Sequence, residues 1–191
     1  MNSSTQTANW QLLPIVCSAR GSKSAQILCN NAPIKVKLEP TKAPFGAGVW
    51  NQTPDITRLN LDLQCSNYLE FLQKVDDWAI DKLAANSSQF FKKTMSKEEI
   101  KGIFKPSASP HEKNNVPYEP TFRCKINVAG ANVVKCWNAD RSARSIPDDW
   151  RGATLTPEVT IKGLWFMQGG CGIVFEVHNC FVEEESVECP F

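Results

Sequence analysis

The chain has 191 residues, a formal net charge of +1, and 42% hydrophobic against 21% charged side chains. That balance excludes global disorder and fits one domain long enough to bury a core without cross-links. No apolar run approaches the ~20 residues a membrane span needs, and the start MNSSTQTANWQ lacks the pattern of a secretion signal, so the reading is intracellular, not secreted and without membrane association.

Residues 1–11 are polar and read as a disordered N-terminus, followed by one domain over 12–182 and a tail over 183–191. Leu12, Leu13, Ile15 and Val16 form a weak strand pattern before a polar loop. Ile34-Lys35-Val36-Lys37-Leu38 alternates cleanly, with Ile34, Val36 and Leu38 inward, until Pro40 ends it. Ala43–Trp50 holds proline and closely spaced glycines, which impose turns and leave Phe45 and Trp50 as aromatic anchors of a loop. Period two returns over Ile56–Leu63, with Leu59, Leu61 and Leu63 on one face.

The period then changes. Tyr68, Leu69, Leu72, Val75, Trp78, Ala79 and Leu83 recur at helical spacing, with Ser66 as the expected N-cap. Ser96-Lys97-Glu98-Glu99 is a capping box that opens a second short helix, so a helical insertion spans about 66–104. Ser107–Pro120, with three prolines and no apolar period, reads as a linker loop back to the sheet. Thr121–Trp137 predicts a hairpin around Gly130, with Phe122, Cys124, Ile126, Val128, Val134 and Cys136 inward and Arg123, Lys125, Lys135 and Trp137 outward.

A loop carrying Arg141, Arg144, Trp150 and Arg151 comes next. A closing hairpin follows over Glu158–Val182: Val159, Ile161 and Trp165 alternate on one side, Ile173, Phe175 and Val177 continue the pattern, and Lys162, Leu164 and Phe166 point the other way. Gly163 interrupts the first arm and marks a bulge or bend that curls the sheet. A curled antiparallel hairpin points to a small β-barrel, hence a mainly β, α+β fold.

Eight cysteines are present and none forms a C-x-x-C pair; with His111 and His178 the only histidines, no metal site is expected and the thiols read as reduced, mostly buried small hydrophobes. No phosphate-binding loop, nucleophile elbow or H-E-x-x-H is present, so no enzyme activity, catalytic residue or cofactor is assigned. The adjacent pairs Asp76-Asp77 and Asp148-Asp149 read as solvent-facing, and three N-x-S/T matches read as chance in a chain without a secretion signal.

The charge is unevenly placed. Glu183, Glu184, Glu185 and Glu188 lie in the last nine residues with no cation among them, so residues 1–182 hold all 21 basic side chains against 16 of the 20 acidic ones. A mildly basic body with an acidic end is what is expected when a tail competes for a cationic surface. Cations interleaved with aromatics on a curved β face suit single-stranded nucleic acid, because Lys and Arg follow the phosphates while exposed rings stack on unpaired bases. Stacking and phosphate contacts do not separate DNA from RNA. The residues assigned to phosphate are Arg123, Lys125, Lys135, Arg141, Arg144, Arg151 and Lys162, and those assigned to stacking are Trp137, Trp150 and Phe166. The rival reading is a structural or assembly protein that uses the barrel for protein contacts.

Several stretches carry a resemblance: Pro44-Phe45-Gly46, Phe71-Leu72, Asn86–Lys93 (NSSQFFKK), Tyr118–Lys125 (YEPTFRCK), and Gly163-Leu164-Trp165-Phe166 followed by Gly172-Ile173. Over about Pro33–Val182 the chain resembles the single-stranded-DNA-binding proteins of nucleocytoplasmic large DNA viruses, which are similar in turn to the replication single-strand-binding proteins of short-tailed phages. The resemblance implies an OB-fold-like antiparallel barrel that binds single-stranded DNA without strong sequence preference in replication, recombination or repair. It also implies a viral protein acting in a viral factory, nucleus or cytoplasm, and a homodimer is a further possibility. The acidic end with Phe191 is then a tail that covers the DNA groove and otherwise contacts replication partners.

Overall fold

The structure, a computed structural model, describes residues 9–19, 21–49, 57–113 and 115–183. Strands β1 (Trp10–Leu12), β2 (Val16–Cys17), β3 (Lys23–Cys29), β4 (Ala32–Lys37), β5 (Thr41–Lys42), β6 (Ala47–Gly48) and β7 (Arg58–Gln64) precede three helices, α1 (Leu69–Ala85), α2 (Ser87–Phe91) and α3 (Lys97–Ile103). Strands β8 (Phe104–Lys105), β9 (Ala108–Lys113), β10 (Val116–Asn127), β11 (Lys135–Trp137), β12 (Ala143–Arg144), β13 (Thr154–Met167) and β14 (Gly170–Glu183) follow. The protein is mainly β, and its α-helices fall within the span read as a helical insertion.

Two compact units are formed, the first from Met1–Ile34, Asn67–Ser109 and Ile161–Phe175, the second from Lys35–Ser66, Pro110–Thr160 and Glu176–Phe191. Residues of β13 and β14 belong to both, so neither unit is one continuous stretch of sequence.

In the first unit α1 buries Leu72, Val75, Ala79, Ile80 and Leu83, the three- and four-residue spacing that sets one apolar stripe inward. Ser66 does not cap it: Ser66–Tyr68 forms a 3₁₀ turn, and Tyr68 precedes α1 without a side-chain cap. The capping box of α3 forms as read, with Glu99 N–H donating to Ser96 Oγ at 3.2 Å and Ser96 N–H to Glu99 Oε2 at 2.7 Å. Trp10 and Gln11, read as disordered, form a strand on β3 together with Leu12, because Trp10 is buried at 3% exposure and its ring meets Trp78 edge-on at 5.4 Å.

Strand β3 also lies along β13, from Gly163↔Gln26 to Phe166↔Lys23. Gly163 has φ +143°, and a Cβ there would run into the Ala25 carbonyl oxygen, so the bend demands glycine. Leu164, expected outward, is fully buried directly after this bend. Parallel pairing of β8 with β14 at Cys171↔Phe104 makes the sheet mixed rather than purely antiparallel.

In the second unit β7 and β10 pair antiparallel from Thr121↔Gln64 to Asn127↔Arg58, and β10 neighbours β14. Period-two alternation turns Leu61, Leu63, Phe122, Cys124 and Ile126 into the core, where full burial of each large side chain contributes roughly 1.5–3 kcal/mol. The hairpin expected over Thr121–Trp137 does not form. Strand β11 pairs parallel with β14 at Cys136↔Cys180 and antiparallel with β12, so Cys136 still points inward as read but through a distant partner. Nor is Ser107–Pro120 a bare loop: β9 pairs with β10, and Asn115 turns between them at φ +60°.

Burial raises the Cys65 thiol to about 12 and that of Cys136 to about 11, and pushes Cys124 and Cys180 up as well. These thiols stay protonated and pack as small hydrophobes, as read. Among the described residues no group of three or more His, Cys, Asp or Glu is placed to hold a metal ion.

Candidate nucleic-acid interface

While β7 and β10 send one set of side chains to the core, their pairing lines up the other set on the opposite face. Four cross-strand pairs follow one another there: Gln64 with Thr121, Asp62 with Arg123, Asn60 with Lys125 and Arg58 with Asn127. Directly opposed residues in an antiparallel pair sit close enough to bond, and in the last three of these pairs the side chains do. Arg123 Nε and one terminal nitrogen donate to the two Asp62 oxygens at 2.8 and 2.9 Å, a bidentate pair that raises the guanidinium pKa further. Lys125 Nζ donates to Asn60 Oδ1 at 2.5 Å, and Arg58 Nε to Asn127 Oδ1 at 2.8 Å.

Strand β14 adds a buried acid to this row. Glu176 Oε1 accepts from Asn127 Nδ2 at 3.3 Å, its other oxygen lies 3.8 Å from Arg58, and His178 Nε2 is 3.4 Å from Oε1. Desolvation lowers the Lys125 pKa, and repulsion from Arg58 and Arg123 adds to the effect. The row therefore holds three cations and two carboxylates in a fixed network that keeps the cationic groups oriented. Arg58, Asn60, Asp62, Asn127 and Glu176 had not been singled out. The signal was present in the period-two phase of Arg58, Asn60 and Asp62, which required knowing that β7 is the partner of β10.

At the Thr121 end His111 Nε2 pairs with Thr121 Oγ1 at 2.7 Å, and the Phe45 ring meets the imidazole edge-on at 5.2 Å. Exposed Tyr118 and Val116 lie further along β10. Arg144, Pro147, Asp149, Arg151, Ala153, Val182 and Glu183 line a pocket of about 300 Å³ in the same unit. Lys135 and Arg141 are exposed, the latter in a left-handed turn at φ +68°, and Trp137 is half-buried.

Two stacking assignments change. Trp150 is a core side chain at 2% exposure and presents no face to a base, because the loop that carries it folds inward. Phe166, in the first unit, is half-buried against α2, stacked on Phe90 at 5.8 Å and edge-on to Phe91 at 5.9 Å. Lys162 is exposed in that unit. Of the tail, Glu183 is exposed at the end of β14, whereas Glu184, Glu185, Glu188 and Phe191 lie outside the described residues, as do Trp50 and residues 1–8.

No protein-family model matches this chain, and no curated protein matches it. Solved structures do. That of gp2.5, a single-stranded DNA binding protein encoded by bacteriophage T7, aligns at 11% identity with a TM-score of 0.50, over 80% of this chain and 87% of that one. The single-stranded DNA-binding protein from bacteriophage Enc34, solved in complex with ssDNA, aligns at 9% identity with a TM-score of 0.51, over 92% of this chain and 96% of that one. At such identities the likeness is one of fold, and the protein shares its chain path with these two phage proteins over most of its length.

Proposed function

We propose that this protein binds single-stranded DNA without strong sequence preference, in replication, recombination or repair, and performs no catalysis. What supports the reading most is the β7–β10 row, three oriented cations ending at an aromatic pair, on a chain path similar to that of two proteins named for single-stranded DNA binding. Arg58, Arg123 and Lys125 supply charge and donors. Lys135, Arg141, Arg144 and Arg151 extend the basic surface of that unit, and Lys162 serves in the other. In this proposal the sheet works as an OB-fold-like barrel, and the protein is a relative of the single-strand-binding proteins of large DNA viruses that acts inside an infected cell.

The tail from Glu183 to Phe191 competes with DNA for the cations and offers a contact to replication proteins, and the active form is a homodimer. The test is fluorescence anisotropy of a labelled oligothymidine with unlabelled duplex of equal length as competitor. Binding that the duplex fails to displace, and that tightens at low salt when residues 183–191 are deleted, is expected. Equal displacement by duplex would overturn the single-strand reading.

A further inference from the structure

Phe45 exposes 57% of its surface, yet the turn that carries it is anything but loose. Ala43 N–H donates to the Ala153 carbonyl at 3.0 Å, Gly152 N–H to the Ala43 carbonyl at 2.9 Å, and Gly46 N–H to the Ala43 carbonyl at 3.2 Å. Just before the turn, Thr41 and Lys42 pair with Leu155 and Thr154, and Thr41 Oγ1 donates to the Gln64 carbonyl at 2.7 Å. Gly46 adopts φ +71° with its backbone against Arg151, so close that a Cβ would lie 3.1 Å from the Arg151 nitrogen. The turn is thus fastened to the 151–155 segment on one side and to β7 on the other.

Holding an apolar ring in water on a rigid support stabilises nothing by burial, since the hydrophobic gain comes from area removed from water. His111 takes one edge of the ring at 5.2 Å, and Thr121 fixes His111 at the head of the polar row. Gly46 packs against the backbone and Cβ of Arg151, which holds the turn in place. A braced aromatic surface at the end of a row of cations and donors is the arrangement that receives an unpaired base while the row takes the neighbouring phosphates.

We propose that Phe45, braced by His111 at the head of the polar row, is the base-stacking platform of the second unit, the role the sequence assigns to Trp150. The proposal rests on the single-strand reading above and names the ligand group, one nucleobase of a single strand. Because the contact is a stack and involves no charge, removing it lowers affinity without changing its salt dependence.

The experiment compares wild type, Phe45→Ala and Phe45→Trp for affinity to labelled oligothymidine at several salt concentrations. Phe45 is exposed, so neither change disturbs the core. Phe45→Ala is expected to weaken binding about 5- to 150-fold at every salt concentration, with the slope of log affinity against log salt unchanged. Phe45→Trp is expected to keep the affinity, with added indole fluorescence quenched on binding. Wild-type binding with Phe45→Ala equally tight, or a change of slope in Phe45→Ala, would overturn the platform while leaving the single-strand reading in place. Equal weakening in both variants would also overturn it. Absence of binding by wild type would remove the reading and the platform together.

Discussion

Asp76 is a carboxylate where the fold would favour none. It is buried on the inner stripe of α1, where Ser107 donates to it twice, from the backbone at 2.8 Å and from Oγ at 2.5 Å. Desolvation outweighs these bonds, with Asp77 repulsion adding to it, and raises its pKa from 3.8 to about 6. The folded protein therefore holds the proton more tightly than the unfolded chain, so the carboxylate's cost is absent well below pH 4 and grows as pH rises through 6. The rise from 3.8 to about 6 corresponds to roughly 3 kcal/mol fully developed at about pH 8, of which about half is relieved on acidifying to about pH 5.

Asp76→Asn removes the charge and keeps one acceptor for Ser107. Urea unfolding of wild type and variant at about pH 8 and about pH 5 isolates the group, since other titrations are common to both. Wild type is expected to gain roughly 1.5 kcal/mol relative to the variant on acidification. Identical pH dependence in the two proteins would refute the claim that burial, rather than the Ser107 bonds, controls this carboxyl.

Ser96→Ala removes the acceptor for Glu99 N–H and is expected to lower stability by about 1 kcal/mol in the same unfolding assay. Gly163→Ala drives a methyl into the Ala25 carbonyl at a left-handed φ, and thermal unfolding is expected to show one of the larger losses in the chain, above roughly 2 kcal/mol. A Gly163→Ala protein as stable as wild type would mean the β3–β13 contact is not as tight as described.

The parts legible in the sequence are those fixed by nearby residues. The Leu72–Leu83 part of the α1 stripe and the Ser96 capping box repeat over a few positions and formed where read, though Leu69 is exposed, and β13 and β14 joined through the short Gln168-Gly169 turn as expected. The departures come from partners distant in sequence. Cys136 finds Cys180 in parallel, so a strand that looked like the return arm of a local hairpin belongs elsewhere. Pro110 and Pro117 disguised β9 and β10 as a linker, although proline is tolerated where a strand leaves an amide unpaired.

The placement of the candidate site residues divides for the same reason. Period two assigned Arg123 and Lys125 to one face, which they share, but Asp62 and Asn60 opposite them depend on the β7 register. Trp150 and Phe45 exchange roles: an aromatic among arginines sits in the core, and an aromatic between proline and glycine stands in solvent. Composition around a ring does not reveal which way its loop folds. Asp76 likewise looked like half of a solvated pair, but it lies buried on the inner stripe of α1 with Ser107 as its donor.

The central claim is that oriented cations on the second unit hold the phosphates of a single strand, and salt tests it most directly. Affinity for labelled oligothymidine should fall as salt rises, with log affinity against log salt giving a slope of roughly −1.5 to −3 for two to four phosphates neutralised on a single strand. Replacing Arg58 and Lys125 together by Ala should make that slope shallower by roughly one to one and a half. An affinity indifferent to salt, or a slope unmoved by the double change, would contradict the account.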